Sequence, residues 1–183
     1  MIRRERLNLF VSMRSNDAFK GLPHDVFAFT MLQEIVARDL GVGVGRYKQA
    51  VASLHLYAEN IDAAKAYLDE GWQSTAPMPS MQLGSPWDDI GVVLTAEQEI
   101  RNGVATDVGT LPIHDYWKDV LRLLQIYSLT RKGAPLVNLR NVVTLKRSMS
   151  STYFDQYIRS REKKLTTYSE QLALDLPADQ PKG

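Results

Sequence analysis

The hydrophobic and polar positions of the first 40 residues predict a strand followed by a helix. Residues 7–12 alternate apolar and polar side chains, which is the pattern of a strand with one buried face. Residues 25–40 repeat apolar side chains at three- and four-residue spacing, which predicts an amphipathic helix whose apolar face is wide enough to be central to the core. Asp25 is placed to cap the start of this helix, and Gly41 is placed to end it.

A second strand and a second helix are predicted after a glycine-rich stretch. Gly41, Gly43 and Gly45 form a G-x-G-x-G pattern, but it follows a helix and precedes a strand, the reverse of the order in a dinucleotide-binding loop. We therefore interpret this stretch as a flexible turn. Residues 47–57 alternate apolar and polar side chains again and predict a strand, and the helix after it is expected to end at Gly71.

The pattern changes after residue 74, where prolines and a glycine predict a loop or linker over residues 74–89. Three helical segments are predicted beyond it, over residues 88–102, 113–132 and 135–168. The expected organisation is a domain, a helical C-terminal region and an unstructured Pro-rich tail, over residues 1–79, 80–172 and 173–183.

Composition excludes several classes of function. Lys and Arg number 22 and Asp and Glu 21, so the charge of +1 gives no reason to expect a nucleic acid or a membrane surface as partner. No apolar run approaches the length needed to cross a bilayer, so a soluble, cytoplasmic protein is expected. The chain has no cysteine, which removes disulfides, thiolate metal sites and thiol nucleophiles. Its three histidines are not at metal-binding spacing, and no metal is expected.

Three short motifs at predicted strand and helix ends carry the candidate chemistry. They are R14-S-N-D17, G21-L-P-H-D25 and S53-L-H-L-Y57. An arginine guanidinium suits a phosphate dianion, and a neighbouring serine adds a hydroxyl. His55 and Tyr57 lie two apart on a predicted strand, so their side chains should point to the same face. Structural roles compete with these functions: a surface ion pair for Arg14, a helix or turn cap for Asp17 and Asp25, and a buried core pair for His55 and Tyr57.

In this order the motifs resemble the thymidylate synthase and deoxycytidylate hydroxymethylase family, over about residues 7–79. That family carries Arg-Ser-x-Asp, then Gly-Leu-Pro-x-Asn or Asp, a long buried helix, and a strand ending His-x-Tyr. The resemblance implies an α+β fold, thymidylate synthase-like but partial, with a mixed and mostly antiparallel sheet against a long buried helix. It also implies a pyrimidine nucleoside monophosphate as ligand and a homodimer packed through the sheets.

The resemblance assigns roles to five substrate-binding residues. Arg14 and Ser15 take the positions that bind the 5′-phosphate, and His55 and Tyr57 the positions that bind the sugar 3′-hydroxyl. Asp25 stands where family members acting on uracil have Asn and those acting on cytosine have Asp. A carboxyl group matches cytosine because one oxygen accepts from the amino group while a protonated oxygen donates to N3. Cytidylate is therefore the expected substrate or ligand.

The resemblance also implies a cofactor, 5,10-methylenetetrahydrofolate, with Asp17 in the position that contacts its pterin ring. The family reaction needs a cysteine thiolate that adds to pyrimidine C6, and the chain has none, so no catalytic residue is assigned. Met13 also replaces the usual Gln before the Arg-Ser motif. Three hypotheses remain open: a fragment or a chain that needs a companion carrying the N-terminal half, a non-catalytic pyrimidine nucleotide-binding protein, or a helical interaction module with a relic site.

Overall fold

The computed structural model describes residues 1–71, 75–131 and 138–175, with side chains as far as residue 166. These residues form two compact units. The first contains Met1–Pro77 and Met81–Trp87, and the second contains Met78–Ser80 and the residues from Asp88 onward. The combination of helices with a mixed sheet is an α+β arrangement, as predicted.

The first unit is built on a strand–helix–strand crossover. Its elements in chain order are β1 (Ile2–Arg3), β2 (Arg6–Met13), β3 (Asn16–Asp17), α1 (Gly21–Asp39), β4 (Gly43–Val51), β5 (Leu54–His55) and α2 (Ile61–Asp69). β1 is antiparallel to β2, whereas β2 is parallel to β4 and β3 is parallel to β5. Parallel neighbours need a long crossover, which α1 supplies. The sheet is mixed, but its longest pairing is parallel, contrary to the expectation of a mostly antiparallel sheet.

The strand predicted over residues 47–57 is divided between two pairings. The backbone N–H of Ala52 donates to the carbonyl of Met13 at 3.0 Å, and that of Asn16 donates to the carbonyl of Ser53 at 2.9 Å. These two hydrogen bonds continue the backbone pairing from β2–β4 into the short β3–β5 pair. Tyr57 lies beyond the strand and precedes a 3₁₀ turn at Ala58–Asn60.

A β-bulge lies in the middle of the β2–β4 pairing. Leu7 faces Val44 and Leu9 faces Tyr47, so one residue of β2 opposes two residues of β4. The side chain of Asn8 accepts from the N–H of Arg46 at 3.0 Å. From α1, the buried amide of Gln33 donates to the carbonyl of Leu7 at 2.7 Å. Two side-chain amides thus satisfy backbone groups that the bulge withdraws from the ladder.

The glycine stretch is not one flexible turn. Gly41 has φ +65° and ends α1, as predicted. Gly43 and Gly45, by contrast, lie within β4. A Cβ on Gly45 would lie 2.6 Å from the carbonyl oxygen of Leu7, so the bulge brings two backbones together where only glycine fits.

The helix α1 begins at Gly21, four residues before the predicted start, so Asp25 is not its N-cap. Pro23 is accommodated in the first turn, where its missing N–H has no helical partner. One face of α1 contacts β2 and β4 and buries Gln33 and Ala37. Elsewhere on the helix large apolar side chains are exposed, including Phe27 at 56%.

The second unit is helical. Its helices are α3 (Trp87–Arg101, of which Trp87 belongs to the first unit), α4 (Asp115–Thr130), α5 (Leu139–Arg147) and α6 (Asp155–Asp175). Ile126, Val142 and Ile158, from α4, α5 and α6, are fully buried together.

The single helical segment predicted over residues 135–168 is two helices, α5 and α6. The run from Ser148 to Thr152 separates them, since Ser and Thr side chains compete for backbone hydrogen bonds and favour helix ends. The buried carboxylate of Asp119 accepts from the N–H groups of Ser150 and Ser151, each at 3.0 Å, which fixes the break.

Some predicted segments lie outside the described residues. These are residue 132 at the end of the second helical segment and residues 135–137 at the start of the third. The predicted unstructured tail over 173–183 lies outside them from residue 176, and residues 173–175 belong to α6. None of the helices in the described parts of the chain has the length and apolar character needed to traverse a bilayer.

We expect Gly45→Ala to destabilise the first unit by about 1–3 kcal/mol, because the new methyl group would overlap the carbonyl of Leu7. Urea unfolding followed by circular dichroism measures the change. Gly91→Ala is the matched control, since its Cβ would meet no atom within 4 Å and α3 should gain stability. Equal stability of the Gly45→Ala variant and the unsubstituted chain would show that the close approach is not rigid.

Candidate functional site

The first and third motifs meet at the carboxyl ends of the parallel strands, beside the first turn of α1. The β3–β5 pairing places Asp17 directly opposite His55. Ser15 Oγ lies 3.3 Å from His55 Nδ1, although the two residues are 40 positions apart in the chain. The register of a two-residue strand pair therefore joins the motifs that the sequence left separate.

His55 and Tyr57 form an exposed pair rather than a core pair. Their rings contact edge to face with centroids 4.8 Å apart, although Tyr57 lies beyond the end of the strand. His55 is half-buried and Tyr57 is 54% exposed. The interpretation of this pair as a buried structural contact is therefore wrong, and the polar edges of both rings can reach a ligand.

Asp17 caps the start of α1, the role that Asp25 was expected to fill. Its carboxylate accepts from the N–H groups of Phe19, Lys20 and Gly21 at 3.0–3.3 Å. These bonds, that of Phe19 above all, hold the pKa of the Asp17 carboxyl below its usual value against the opposing effect of burial, and His55 lowers it slightly further. Oδ1 accepts a single N–H, so it keeps one acceptor position for another donor.

Arg14 has an exposed side chain next to this group. Within the described residues its guanidinium has no hydrogen-bond or ion-pair partner, so the interpretation of Arg14 as part of a surface ion pair finds no support there. An unpaired guanidinium beside the Ser15 hydroxyl is the arrangement expected for binding an anion.

Asp25 lies in the second turn of α1, half-buried and next to β4. Burial raises the pKa of the Tyr47 hydroxyl, and the negative charge of Asp25 raises it further, which places the carboxylate near that ring. No hydrogen bond to the Asp25 carboxylate is found among the described residues. Its oxygens thus remain available to a ligand.

Sequence reasoning missed a chain of polar contacts beneath the site. The Tyr47 hydroxyl donates to Gln49 Oε1 at 2.5 Å, and Gln49 Nε2 lies 2.8 Å from the sulfur of Met13. These contacts connect β4 with β2, which ends at Met13, directly before Arg14. The signal was present in the alternation of residues 47–57, where Gln49 is a polar residue on the half-buried face.

The glycine of the second motif is required by packing. A Cβ on Gly21 would lie 2.5 Å from Oδ1 of Asn16, a side chain that is only 6% exposed. A larger residue at this position would force the buried side chain of Asn16 to move. The second motif therefore contributes to the site through its backbone as well as through Asp25.

The structure brings together four of the six predicted residues, namely Ser15, Asp17, His55 and Tyr57. Arg14 adjoins this group through the chain, and Asp25 lies beside Tyr47 instead. Within the described chain no hydrogen bond or ion pair connects Asp25 with the other five. No group of three metal-ligating side chains occurs among those same residues.

Comparison with known proteins places the first part of the chain beside one protein family and its curated members. The family described as thymidylate synthase matches residues 1–102, which extends beyond the resemblance over residues 7–79 at both ends and includes α3. A curated thymidylate synthase from Oenococcus oeni (strain ATCC BAA-331 / PSU-1) is 25% identical over 108 residues, 59% of this chain and 33% of that protein. The chain thus spans about a third of the length of this curated relative.

We expect Asp17→Asn to destabilise the first unit at pH 7 and to lose this effect in acid. The pKa of the Asp17 carboxyl is lower in the folded state, so its stabilisation is complete above the ordinary value of 3.8 and disappears as the pH falls through the folded value. Urea midpoints of the variant and the unsubstituted chain between pH 7 and pH 2.5 measure the difference.

Asp69→Asn, at the end of α2, is the control for removing one carboxylate. A difference in urea midpoint between the Asp17→Asn variant and the unsubstituted chain that stays constant across this pH range would contradict the capping role.

Proposed function

The chain belongs to the thymidylate synthase family, and from this membership we propose that its first unit binds a pyrimidine nucleoside monophosphate, with cytidylate preferred, for one-carbon transfer to pyrimidine C5. The contact between Ser15 and His55 is the observation that carries this proposal, because it unites the Arg-Ser and His-x-Tyr motifs in one place. The groups around that contact offer ligands for the phosphate and the sugar of a mononucleotide, and Asp25 on α1 is the candidate ligand of the base.

Arg14 and Ser15 are the proposed phosphate ligands. The Arg14 side chain is exposed and has no ionic partner in the described residues, so binding a dianion would break no existing ion pair. A guanidinium can donate two parallel hydrogen bonds to phosphate oxygens. Ser15 would add one more bond while its hydroxyl stays close to His55.

His55 and Tyr57 are the proposed ligands of the sugar 3′-hydroxyl. Nδ1 of His55 faces the Ser15 hydroxyl, which leaves Nε2 for the ligand. The exposed Tyr57 ring packs edge to face on the imidazole and restricts its orientation. A histidine held in this way can donate to or accept from a hydroxyl according to its tautomer.

Asp25 is the residue proposed to hydrogen-bond the base. Its carboxylate accepts no hydrogen bond from the described residues and therefore has acceptor positions for an exocyclic amino group. Pairing with cytosine also requires one proton on the carboxyl for N3. A site built for that pattern leaves buried polar groups unpaired against uracil, which is why the single side chain can discriminate.

The residues present fit methylenetetrahydrofolate only in part. Asp17 would hold the pterin ring through the remaining acceptor position of Oδ1, since its other positions cap α1. The folate would supply the one-carbon unit. The nucleophilic thiol that this chemistry needs lies outside these 183 residues, which contain no cysteine. A serine hydroxyl is not ionised enough near neutral pH to replace it.

We therefore propose that catalysis requires a companion polypeptide segment carrying the N-terminal half, in a cytoplasmic assembly. The exposed apolar side chains of α1, among them Phe27 and Leu32, offer a surface for it. The uncovered face of the sheet carries Arg46 and Lys48, so a homodimer packed two-fold through that face would bring like charges together. These charges favour the companion over the homodimer.

A non-catalytic nucleotide-binding protein is the second candidate, and the absence of cysteine favours it. The nucleotide sequence upstream of the Met1 codon separates the two. An in-frame Pro-Cys segment, or a neighbouring gene that encodes one, supports the catalytic proposal. Stop codons upstream and no companion gene support binding without catalysis.

We expect Arg14→Gln to weaken binding of dCMP at least about tenfold and to leave binding of deoxycytidine unchanged, since only the former carries the phosphate. Isothermal titration calorimetry with both ligands measures the effect. Arg4→Gln, which changes an exposed arginine in the turn before β2, is the control. Equal losses for the two ligands, or no binding of dCMP at millimolar concentration, would contradict the phosphate role.

We expect Asp25→Asn to reverse the preference between dCMP and dUMP, with the ratio of their dissociation constants changing at least about tenfold. An amide presents the donor and acceptor that uracil needs, whereas the carboxyl group matches cytosine. The same calorimetry with both nucleotides measures the ratio, and Asp62→Asn on α2 is the control for charge removal. An unchanged ratio would mean that Asp25 does not contact the base.

A further inference from the structure

Tyrosine and arginine side chains meet on the surface of the helical unit where α4 contacts α6. The guanidinium of Arg161, on α6, lies over the ring of Tyr127, on α4, and over the ring of Tyr157, on its own helix, each at 5.1 Å from the ring centroid. Lys164 follows Arg161 by three residues, and Tyr157 precedes it by four, so the three side chains share one face of α6.

A small hollow of about 170 Å³ adjoins Tyr127. Tyr127 and Arg131 are part of its wall, and the buried Ile100 gives it an apolar part. Its acidic residue, Glu97, is already paired with Arg101 at 2.9 Å. A cavity of about 150 Å³ can hold a benzene molecule, so the hollow has room for one apolar side chain. We call Tyr127, Arg131, Tyr157, Arg161 and Lys164 the tyrosine–arginine face.

The cations of this face are not neutralised by the chain. Residues 139–166 contain seven lysines and arginines but two acidic residues. Both acidic residues pair with cations outside the face. Within the described side chains none of the three cations of the face forms an ion pair. The face therefore carries about +3 in a chain whose net charge is +1, a local excess that the overall balance conceals.

Arg161 is the central residue of the face. The two tyrosine rings cover part of its half-buried guanidinium, whose N–H groups have no hydrogen-bond partner among the described residues. A guanidinium can donate two parallel hydrogen bonds to a carboxylate, and partial exclusion of water by the rings strengthens that interaction. Tyrosine and arginine are also the residues enriched where protein interfaces gain most of their binding energy.

We propose that the tyrosine–arginine face docks an acidic amphipathic segment of a partner protein, with a carboxylate on Arg161 and an apolar side chain in the hollow beside Tyr127. The unpaired cations call for a partner of opposite charge, and the apolar wall of the hollow calls for an apolar anchor. A single-stranded nucleic acid would supply phosphates, but the guanidinium already covers one side of both tyrosine rings, which leaves less ring surface for stacked bases.

The face is separate from the proposed nucleotide site. Its residues lie between positions 127 and 164, outside the family match over residues 1–102, and all of them belong to the second unit. The proposal therefore does not depend on nucleotide binding by the first unit.

Fluorescence anisotropy of a labelled peptide of about 16 residues, with Leu at helical spacing and Glu elsewhere, titrated with the full chain at 50 and 200 mM salt, tests the proposal. We expect micromolar binding that weakens with salt. Arg161→Gln should weaken binding at least about tenfold, because it removes the bidentate donor. Lys164→Gln changes an exposed side chain and should weaken binding several-fold without affecting the fold. A peptide of the same charge with Ser in place of Leu should also bind several-fold more weakly.

The matched control is Arg140→Gln with Arg147→Gln, which removes two exposed charges from α5 and should leave binding unchanged. No binding at 50 mM salt, equal loss in the α5 control, or full binding by the Lys164→Gln variant would overturn the proposal. Tighter binding of a single-stranded oligonucleotide of equal charge would overturn it in favour of a nucleic acid. Dimerisation of the chain that is lost in the Lys164→Gln variant, measured by analytical ultracentrifugation, would overturn it in favour of a second copy.

Discussion

The site depends on the register of the two-residue pairing between β3 and β5. This register puts Asp17 opposite His55 and brings Ser15 within 3.3 Å of the imidazole. A slip of one residue would turn every side chain of the strand to the other face, so His55 would leave the Ser15 hydroxyl. Two residues cannot hold a register by their own ladder bonds. The longer β2–β4 pairing and the capped start of α1 must therefore determine it.

The β2–β4 pairing and the start of α1 hold the β3–β5 pair from its two sides. In the β2–β4 ladder the bulge is closed by Asn8 and Gln33, and Gly45 permits the close approach, so sliding would leave buried backbone groups unpaired. On the other side Asp17 accepts three backbone N–H groups at the start of α1, which ties β3 to the helix. The same carboxylate thus has a structural role that limits what it can offer a cofactor.

The sequence predicted the parts that depend on local periodicity and missed those that depend on pairing. The strand over residues 7–12 and the helix that ends before Gly41 agree with the structure, because each follows from a repeat of two or 3.6 residues or from a residue with special φ. The parallel pairing, the bulge at Gly45 and the division of residues 47–57 involve partners distant in the chain. Asp17 displaced Asp25 as cap because the start of α1 depends on where β3 ends. The break at residues 148–152 coincides with a run of Ser and Thr, a local signal that competes with the helical periodicity on either side of it.

Recognition and chemistry are separable in a chain of this kind. Contacts to phosphate, sugar and base are made equally in the ground state and in the transition state, so they give affinity without a nucleophile. The groups proposed for these contacts sit on β3, β5 and α1, whose positions are fixed by backbone hydrogen bonds and not by a catalytic residue. The thiol is needed for the covalent step and not for these contacts. The proposed nucleotide site can therefore be tested through binding of dCMP to this chain, whether or not a companion supplies the thiol.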